Sequence, residues 1–141
     1  MSIQIKKDIT VSDVMMGVSE TPKTCNQTFL KEAIDIMDQN RLGIICVVDS
    51  SGKLEGIITD GDIRRILTRV QKPFAAVLSD DVNAYAIKNP ITVNLDTLLT
   101  DAIDIMGQRK IWDLPVLDSS GKLLGLLHLH RAIEALLSNN A

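Results

Sequence analysis

The segment Gly56-Ile57-Ile58-Thr59-Asp60-Gly61-Asp62-Ile63-Arg64-Arg65 holds the groups a phosphate-bearing ligand would need, in the order a strand-to-helix corner presents them. An apolar run ends at Ile58, and a helix is expected to begin near Asp62. The first N–H groups of a helix lack internal partners and the dipole is positive there, so that end attracts anions. Thr59 adds a hydroxyl, and Gly61 removes a side chain, so that a ligand can approach the backbone. The Asp62 carboxylate can accept two hydrogen bonds from a ribose diol. Arg64 and Arg65 are within reach of a phosphate if they face the same way; otherwise they are solvated charges. A plainer reading uses the same residues. Thr59-x-x-Asp62 is close to a capping box, in which each side chain bonds the other residue's backbone N–H. Spacing alone leaves both readings open.

The corner has an altered twin. Ala33-Ile34-Asp35-Ile36-Met37 recurs at Ala102–Met106, and Asp49-Ser50-Ser51-Gly52-Lys53-Leu54 recurs at Asp118–Leu123, an offset of 69 residues from 33 to 102 and again from 49 to 118. Two identical blocks at one ungapped offset mark a duplication, with repeats at 1–73 and 74–141. At that offset Thr59 becomes His128 and Asp62 becomes Arg131. A cation replaces the diol-binding carboxylate, so the twin corners should not take one ligand in the same way. His128 and His130 share a face if the strand reaches that far. Two histidines without a cysteine or a nearby carboxylate make a thin case for a metal, and none is expected. His128, His130 and Arg131 suit an anionic group better.

The elements around these corners follow from periodicity. Leu30, Ala33, Ile34 and Met37 fall at i, i+3, i+4 and i+7, one apolar helical stripe, and Leu99, Ala102, Ile103 and Met106 repeat it. Thr28 and Thr97 are the expected N-caps. The strands Ile44–Val48 and Leu54–Ile58, and likewise Leu114–Leu117 and Leu123–His128, should pair as hairpins through an Asp-Ser-Ser-Gly turn whose glycine takes positive φ. A second helix closes each repeat, with short extended lead-ins at Ile9–Val14 and Ile91–Val93, and Thr68–Asn89 serves as linker. The expected fold class is α/β (α+β): two β-α-β-β-α units packed sheet to sheet with pseudo-twofold symmetry and a cleft between them. One repeat alone would bury too little surface to be secure.

Composition narrows the function. The 141 residues are 45% hydrophobic and 3% aromatic with a net charge of −3, so the core is aliphatic and duplex nucleic acid is not an expected partner. Cys25 and Cys46 do not make a disulfide framework; Cys46, inside an apolar run, reads as a core residue. No long apolar segment suggests a secretion signal or a membrane span, and a soluble cytoplasmic protein is expected. Walker loop, nucleophile elbow and CxxC are lacking, and no nucleophile–base pair can be assembled, so an enzyme is not expected. Trp112, the sole tryptophan, is expected to be partly buried in the core, with lining a cleft as the other reading. Met15 and Met16 are expected to fill the core, with contact to a base as the other reading.

Val11-Ser12-Asp13-Val14-Met15, Leu114-Pro115-Val116-Leu117-Asp118 and Gly56–Asp62 resemble the motifs of the CBS family, and the resemblance runs from Val11 to about Leu137. It implies a regulatory pair that senses adenosine nucleotides such as AMP or ATP and forms flat homodimers. It also implies that Thr59 and Asp62 contact phosphate and ribose. More narrowly, Asn40-Arg41-Leu42-Gly43, Gly56–Arg65 and Gly125-Leu126-Leu127-His128-Leu129-His130 resemble the C-terminal part of arabinose 5-phosphate isomerases, enzymes that feed Kdo synthesis for lipopolysaccharide. That likeness implies a parent catalytic domain outside this chain and CMP-Kdo as a further ligand. Arg131 departs from the acidic residue common there. A similar Thr-Asp-Gly-Asp-Ile-Arg-Arg string occurs in pairs fused to sugar-phosphate nucleotidyltransferases. A module that only dimerises its parent, without ligand, is the remaining alternative.

Overall fold

The apolar stripes and both hairpins form as their spacing implies. The computed structural model describes residues 8–138. In chain order the elements are β1 (Met16–Gly17), β2 (Lys23–Cys25), α1 (Leu30–Asn40), β3 (Ile44–Val48), β4 (Leu54–Thr59), α2 (Asp60–Arg69), α3 (Phe74–Leu78), β5 (Ile87–Lys88), α4 (Leu99–Arg109), β6 (Asp113–Leu117), β7 (Leu123–His128) and α5 (Leu129–Leu136). Short 3-10 turns cover Val11–Asp13, Val18–Glu20 and Val82–Ala84. The class is mixed α/β, with two sheets.

One compact unit is Thr21–Pro90. Its sheet runs β2-β3-β4-β5, with β2 parallel to β3 and the other pairs antiparallel. Leu30, Ala33 and Met37 of α1 pack with Ile45, Val47 and Ile58 of the hairpin, Ile66 of α2, and Val77 and Val82. Cys46 is wholly buried, as its apolar run implies. The second unit joins the segment up to Glu20 with the segment from Ile91 onward. Its sheet runs β1-β7-β6, all antiparallel. Its core is Val11, Val14, Val93, Leu99, Ala102, Met106, Leu114, Val116, Leu127 and Ala132, with Met15 packed alongside.

The packing units therefore differ from the repeats at 1–73 and 74–141, and backbone hydrogen bonds give the reason. Leu99, first residue of α4, donates its N–H to Ile9 O at 2.8 Å, and Val11 donates to Thr97 O at 2.8 Å. In the other unit Leu30 donates to Asp80 O at 2.8 Å and Val82 to Thr28 O at 2.8 Å. Ile9–Val14 thus serves α4 of the other repeat, while α1 is served by Asp80–Val82 rather than by the expected lead-in Ile91–Val93, whose Val93 bridges Val116 in its own repeat. The same bonds correct the expected caps. Phe29 and Leu98 are the N-cap residues, and neither side chain caps. Thr28 and Thr97 lie one residue earlier. Thr28 Oγ1 is engaged by Thr24 at 2.8 Å and Cys25 Sγ at 3.1 Å, and Thr97 Oγ1 accepts from Asn94 N at 3.2 Å. The borrowed carbonyls do the capping instead, which is why apolar residues are tolerated at those positions.

The stretch expected as a linker is structured, because it is where one borrowed lead-in lies. It carries the end of α2, then α3, a 3-10 turn and β5. Asp80 anchors it, paired with Lys72 and accepting from the Tyr85 hydroxyl. Gly56 and its repeat equivalent Gly125 allow the edge strands in: a Cβ on them would lie 2.7 Å from Ile87 O and 2.2 Å from Met16 O.

Both hairpin turns use one device. Asp49 Oδ1 accepts from Ser51 N at 2.9 Å, Ser51 Oγ at 2.8 Å and Lys53 N at 2.9 Å, and Asp118 does the same with Ser120 and Lys122. Gly52 and Gly121 take φ of 87° and 89°. The serine hydroxyl first, then the lysine N–H, holds each carboxyl below its usual range. A depressed folded-state pKa stabilises the fold above the unfolded pKa and stops doing so as pH falls through the folded one. The melting temperature should therefore fall on acidification below about pH 4, and fall less in the Asp49→Asn/Asp118→Asn double variant. Calorimetric scans from pH 6 to pH 3 would check this; equal slopes would refute it.

Candidate functional site

The Gly56–Arg65 corner forms a sharp strand-to-helix junction. β4 ends at Thr59 and α2 starts at once at Asp60, two residues before the expected Asp62. Thr59 is the N-cap and Asp62 the third helical residue, and the reciprocal capping box is complete. Thr59 N donates to Asp62 Oδ2 at 2.9 Å and Thr59 Oγ1 to the same oxygen at 3.0 Å, while Asp62 N donates to Thr59 Oγ1 at 3.3 Å. Asp62 is only 9% exposed. Its other oxygen, Oδ1, accepts from Arg65 Nη2 at 2.8 Å. The Arg65 guanidinium lies over Gly61, 3.2 Å from where a Cβ would stand. Arg64 is exposed.

Thr59, Gly61, Asp62 and Arg65 are thus brought together, and the cap is real. The groups expected to meet a ligand lie in the same place as the cap. Arg65 is about half exposed at the side chain, whereas the Asp62 carboxylate is nearly buried. An incoming hydroxyl could take the place of the arginine on Oδ1, leaving Oδ2 to hold the helix start. The freed guanidinium would then be beside a phosphate resting on the helix N-terminus.

The twin corner is built otherwise. β7 ends at His128, which is the N-cap of α5 without any side-chain cap bond. His128 Nδ1 lies 2.8 Å from Asp113 Oδ1, directly across the hairpin. Burial pushes the Asp113 carboxyl above the usual range, and the bond to His128 opposes that in part. His130 does not share the face of His128. The strand has ended, so His130 lies on α5, exposed and 3.2 Å from Glu134. Arg131 is exposed. The two histidines expected to share a face are therefore engaged with different carboxylates. Among the described residues no group of three or more His, Cys, Asp or Glu side chains is placed to hold a metal ion, and no helix is long and apolar enough to cross a membrane.

Two features escaped the sequence reading. Asp113 is the partner of His128, and counting back from the Asp118 turn would have found it. The second is an open groove of about 460 Å³ in the Thr21–Pro90 unit, lined by Ile34, Met37, Asp38, Arg41, Gly43, Asp60 and Ile63. Thr59 and Asp62 are not among its lining residues. Trp112 also departs from expectation: it is 68% exposed rather than partly buried.

Residues 11–69 and 81–138 each match the CBS domain family. The chain is 34% identical over 132 residues to arabinose 5-phosphate isomerase KdsD of Pseudomonas aeruginosa, covering 90% of this chain and 38% of that protein. The curated relatives it matches are longer; the chain spans little more than a third of the length of several of them. Among solved structures it is similar to CBSX2 in complex with AMP, at 25% identity and a TM-score of 0.79, covering 89% of this chain and 94% of that one. The CBS domain pair of protein MJ0100, solved with 5′-methylthioadenosine and S-adenosyl-L-methionine, shares the fold at 23% identity and a TM-score of 0.74, covering 96% of each chain.

Proposed function

Because the chain belongs to the CBS domain family, whose pattern it carries twice, we propose that it is a non-catalytic regulatory pair that binds an adenine nucleotide or a nucleotide-sugar such as CMP-Kdo at the Thr59–Asp62 corner. The observation that carries this is the Asp62 carboxylate. It is nearly buried, with one oxygen fixed by the cap and the other held by a half-exposed arginine. A ribose hydroxyl takes Oδ1, the α2 N–H groups and Arg65 take the phosphate, and Gly61 leaves the backbone open. AMP in the similar CBSX2 structure supports an adenine nucleotide. Kinship with KdsD supports a parent arabinose 5-phosphate isomerase acting toward Kdo and lipopolysaccharide, with the chemistry carried outside this chain and its rate set by the ligand. His128 and Arg131, in place of Thr59 and Asp62, leave the twin corner without a diol acceptor, so one nucleotide per chain is expected.

Thermal unfolding with AMP, ATP, CMP and CMP-Kdo tests this. A true ligand at about 100 times its Kd stabilises the fold by about 2.7 kcal/mol, an easily read rise in melting temperature. Melting curves unmoved by all four would overturn the proposal.

A further inference from the structure

Bond counting at the Thr59–Asp62 corner shows how little of it is open. A carboxylate offers about four lone-pair positions, two on each oxygen. Both positions on Asp62 Oδ2 are taken, by Thr59 N at 2.9 Å and by Thr59 Oγ1 at 3.0 Å. Arg65 Nη2, at 2.8 Å, takes one position on Oδ1. The Thr59 hydroxyl is committed as well. Its single proton goes to Asp62 Oδ2, and its oxygen accepts from Asp62 N at 3.3 Å. Of the first three N–H groups of α2, Asp60 N donates to Gly43 O at 3.0 Å and Asp62 N to Thr59 Oγ1. Among the described residues Gly61 N has no such acceptor, and the Arg65 guanidinium lies over Gly61.

The geometry points to a ligand read through a single hydroxyl and one anionic group, with no vicinal diol required and with Thr59 as a positioning residue. This rests on the reading of the corner as a nucleotide site and narrows the ligands it takes. Chelating a diol puts one hydroxyl on each carboxylate oxygen, and Oδ2 has no lone pair left. The hydroxyl is therefore received on Oδ1 alone. The bonds that fill Oδ2 are the same ones that start α2, so a second hydroxyl competes with the capping box itself. Thr59 fixes the carboxylate instead of donating to a phosphate, because its proton is already on Oδ2. The anion is left with Gly61 N and with Arg65, whose planar guanidinium carries five donors. The class that fits is a nucleotide keeping one of its two ribose hydroxyls, deoxynucleotides included. The other hydroxyl finds no acceptor on Asp62.

Titration calorimetry on the full chain tests this with AMP, CMP and the analogues of each that lack the 2′ hydroxyl, the 3′ hydroxyl or both. In the series that binds, one singly deoxygenated analogue should stay within about threefold of its parent nucleotide, while the other and the doubly deoxygenated one weaken at least about tenfold, the usual size for a lost bond to a charged group. Equal losses for the two singly deoxygenated analogues would overturn the proposal. Large equal losses mean a chelated diol, and small ones mean that Asp62 reads no hydroxyl. Silence from both AMP and CMP is a different failure: it removes the nucleotide reading, and this proposal with it. Thr59→Ser keeps both bonds to Asp62 and should keep the unequal pattern. Thr59→Val takes one donor off Oδ2, so the analogue tolerated by the parent chain should now weaken relative to the full nucleotide. A purely capping role would weaken every nucleotide by one factor and leave the ratios unchanged, which would overturn the assignment of Thr59.

Discussion

Residues 74–141 made as a separate chain should give no cooperative melt, and residues 1–73 should do no better, while an equimolar mixture of the two should recover helical signal and one transition. Without residues 1–73, α4 loses Ile9 O as the acceptor for its first N–H, and Val11, fully buried, and Val14 leave the core. β1 goes too, and with it the edge that pairs Met16 with Leu126. Two buried valines are worth about 1.5–3 kcal/mol each, and each lost backbone bond about 1 kcal/mol more. Against a usual total stability of about 5–15 kcal/mol, little remains. The other piece loses Val77 and Val82 from its core, Asp80 O from the α1 terminus and β5 from its sheet. Mixing supplies each fragment with the lead-in it lacks. Far-ultraviolet circular dichroism against temperature reads all three samples. A native-like melt from 74–141 alone would show that the exchanged lead-ins are dispensable.

That exchange marks where the sequence stopped being informative. α1, α4 and both hairpins were legible because their signals are local: a 3.6-residue apolar stripe, and two strands joined by Asp-Ser-Ser-Gly. The duplication at a fixed offset was legible for the same reason. Which repeat receives Ile9–Val14 is a non-local choice. Val11 and Val82 are both buried valines in similar lead-ins, and nothing in their own neighbourhoods says which helix each will serve. The cap error at Thr28 and Thr97 has the same root, because the acceptors that satisfy Leu30 and Leu99 come from segments about 50 and 90 residues distant in the chain. Thr59 and Asp62 were legible as a corner. What spacing could not decide between, cap or ligand site, the structure answers on the cap side only. Trp112 was misjudged because a lone tryptophan in a small aliphatic protein is ordinarily recruited to the core.

Asp62→Ala should lose both stability and nucleotide response, and Asp62→Asn should separate them. Alanine removes the acceptor for Thr59 N and Oγ1 and the partner of Arg65. Loss of a cap of this type costs about 0.5–2 kcal/mol. Asparagine keeps one oxygen that can still accept from Thr59 N, so most of the melting temperature should survive. Its amide group cannot accept a ribose hydroxyl where Oδ1 stood and disfavours the Arg65 guanidinium, so the nucleotide-induced shift should disappear. Arg65→Ala sharpens the assignment. Its ion pair with Asp62 is about half exposed on the arginine side, and Asp62 keeps its two bonds from Thr59, so the variant should still fold cooperatively. If Arg65 moves to the phosphate on binding, the variant should lose affinity for AMP far more than for adenosine, because only AMP offers that charge. Titration calorimetry with the two ligands gives the comparison. Equal losses for both, or a full nucleotide shift in Asp62→Asn, would mean that the cap is all this corner does.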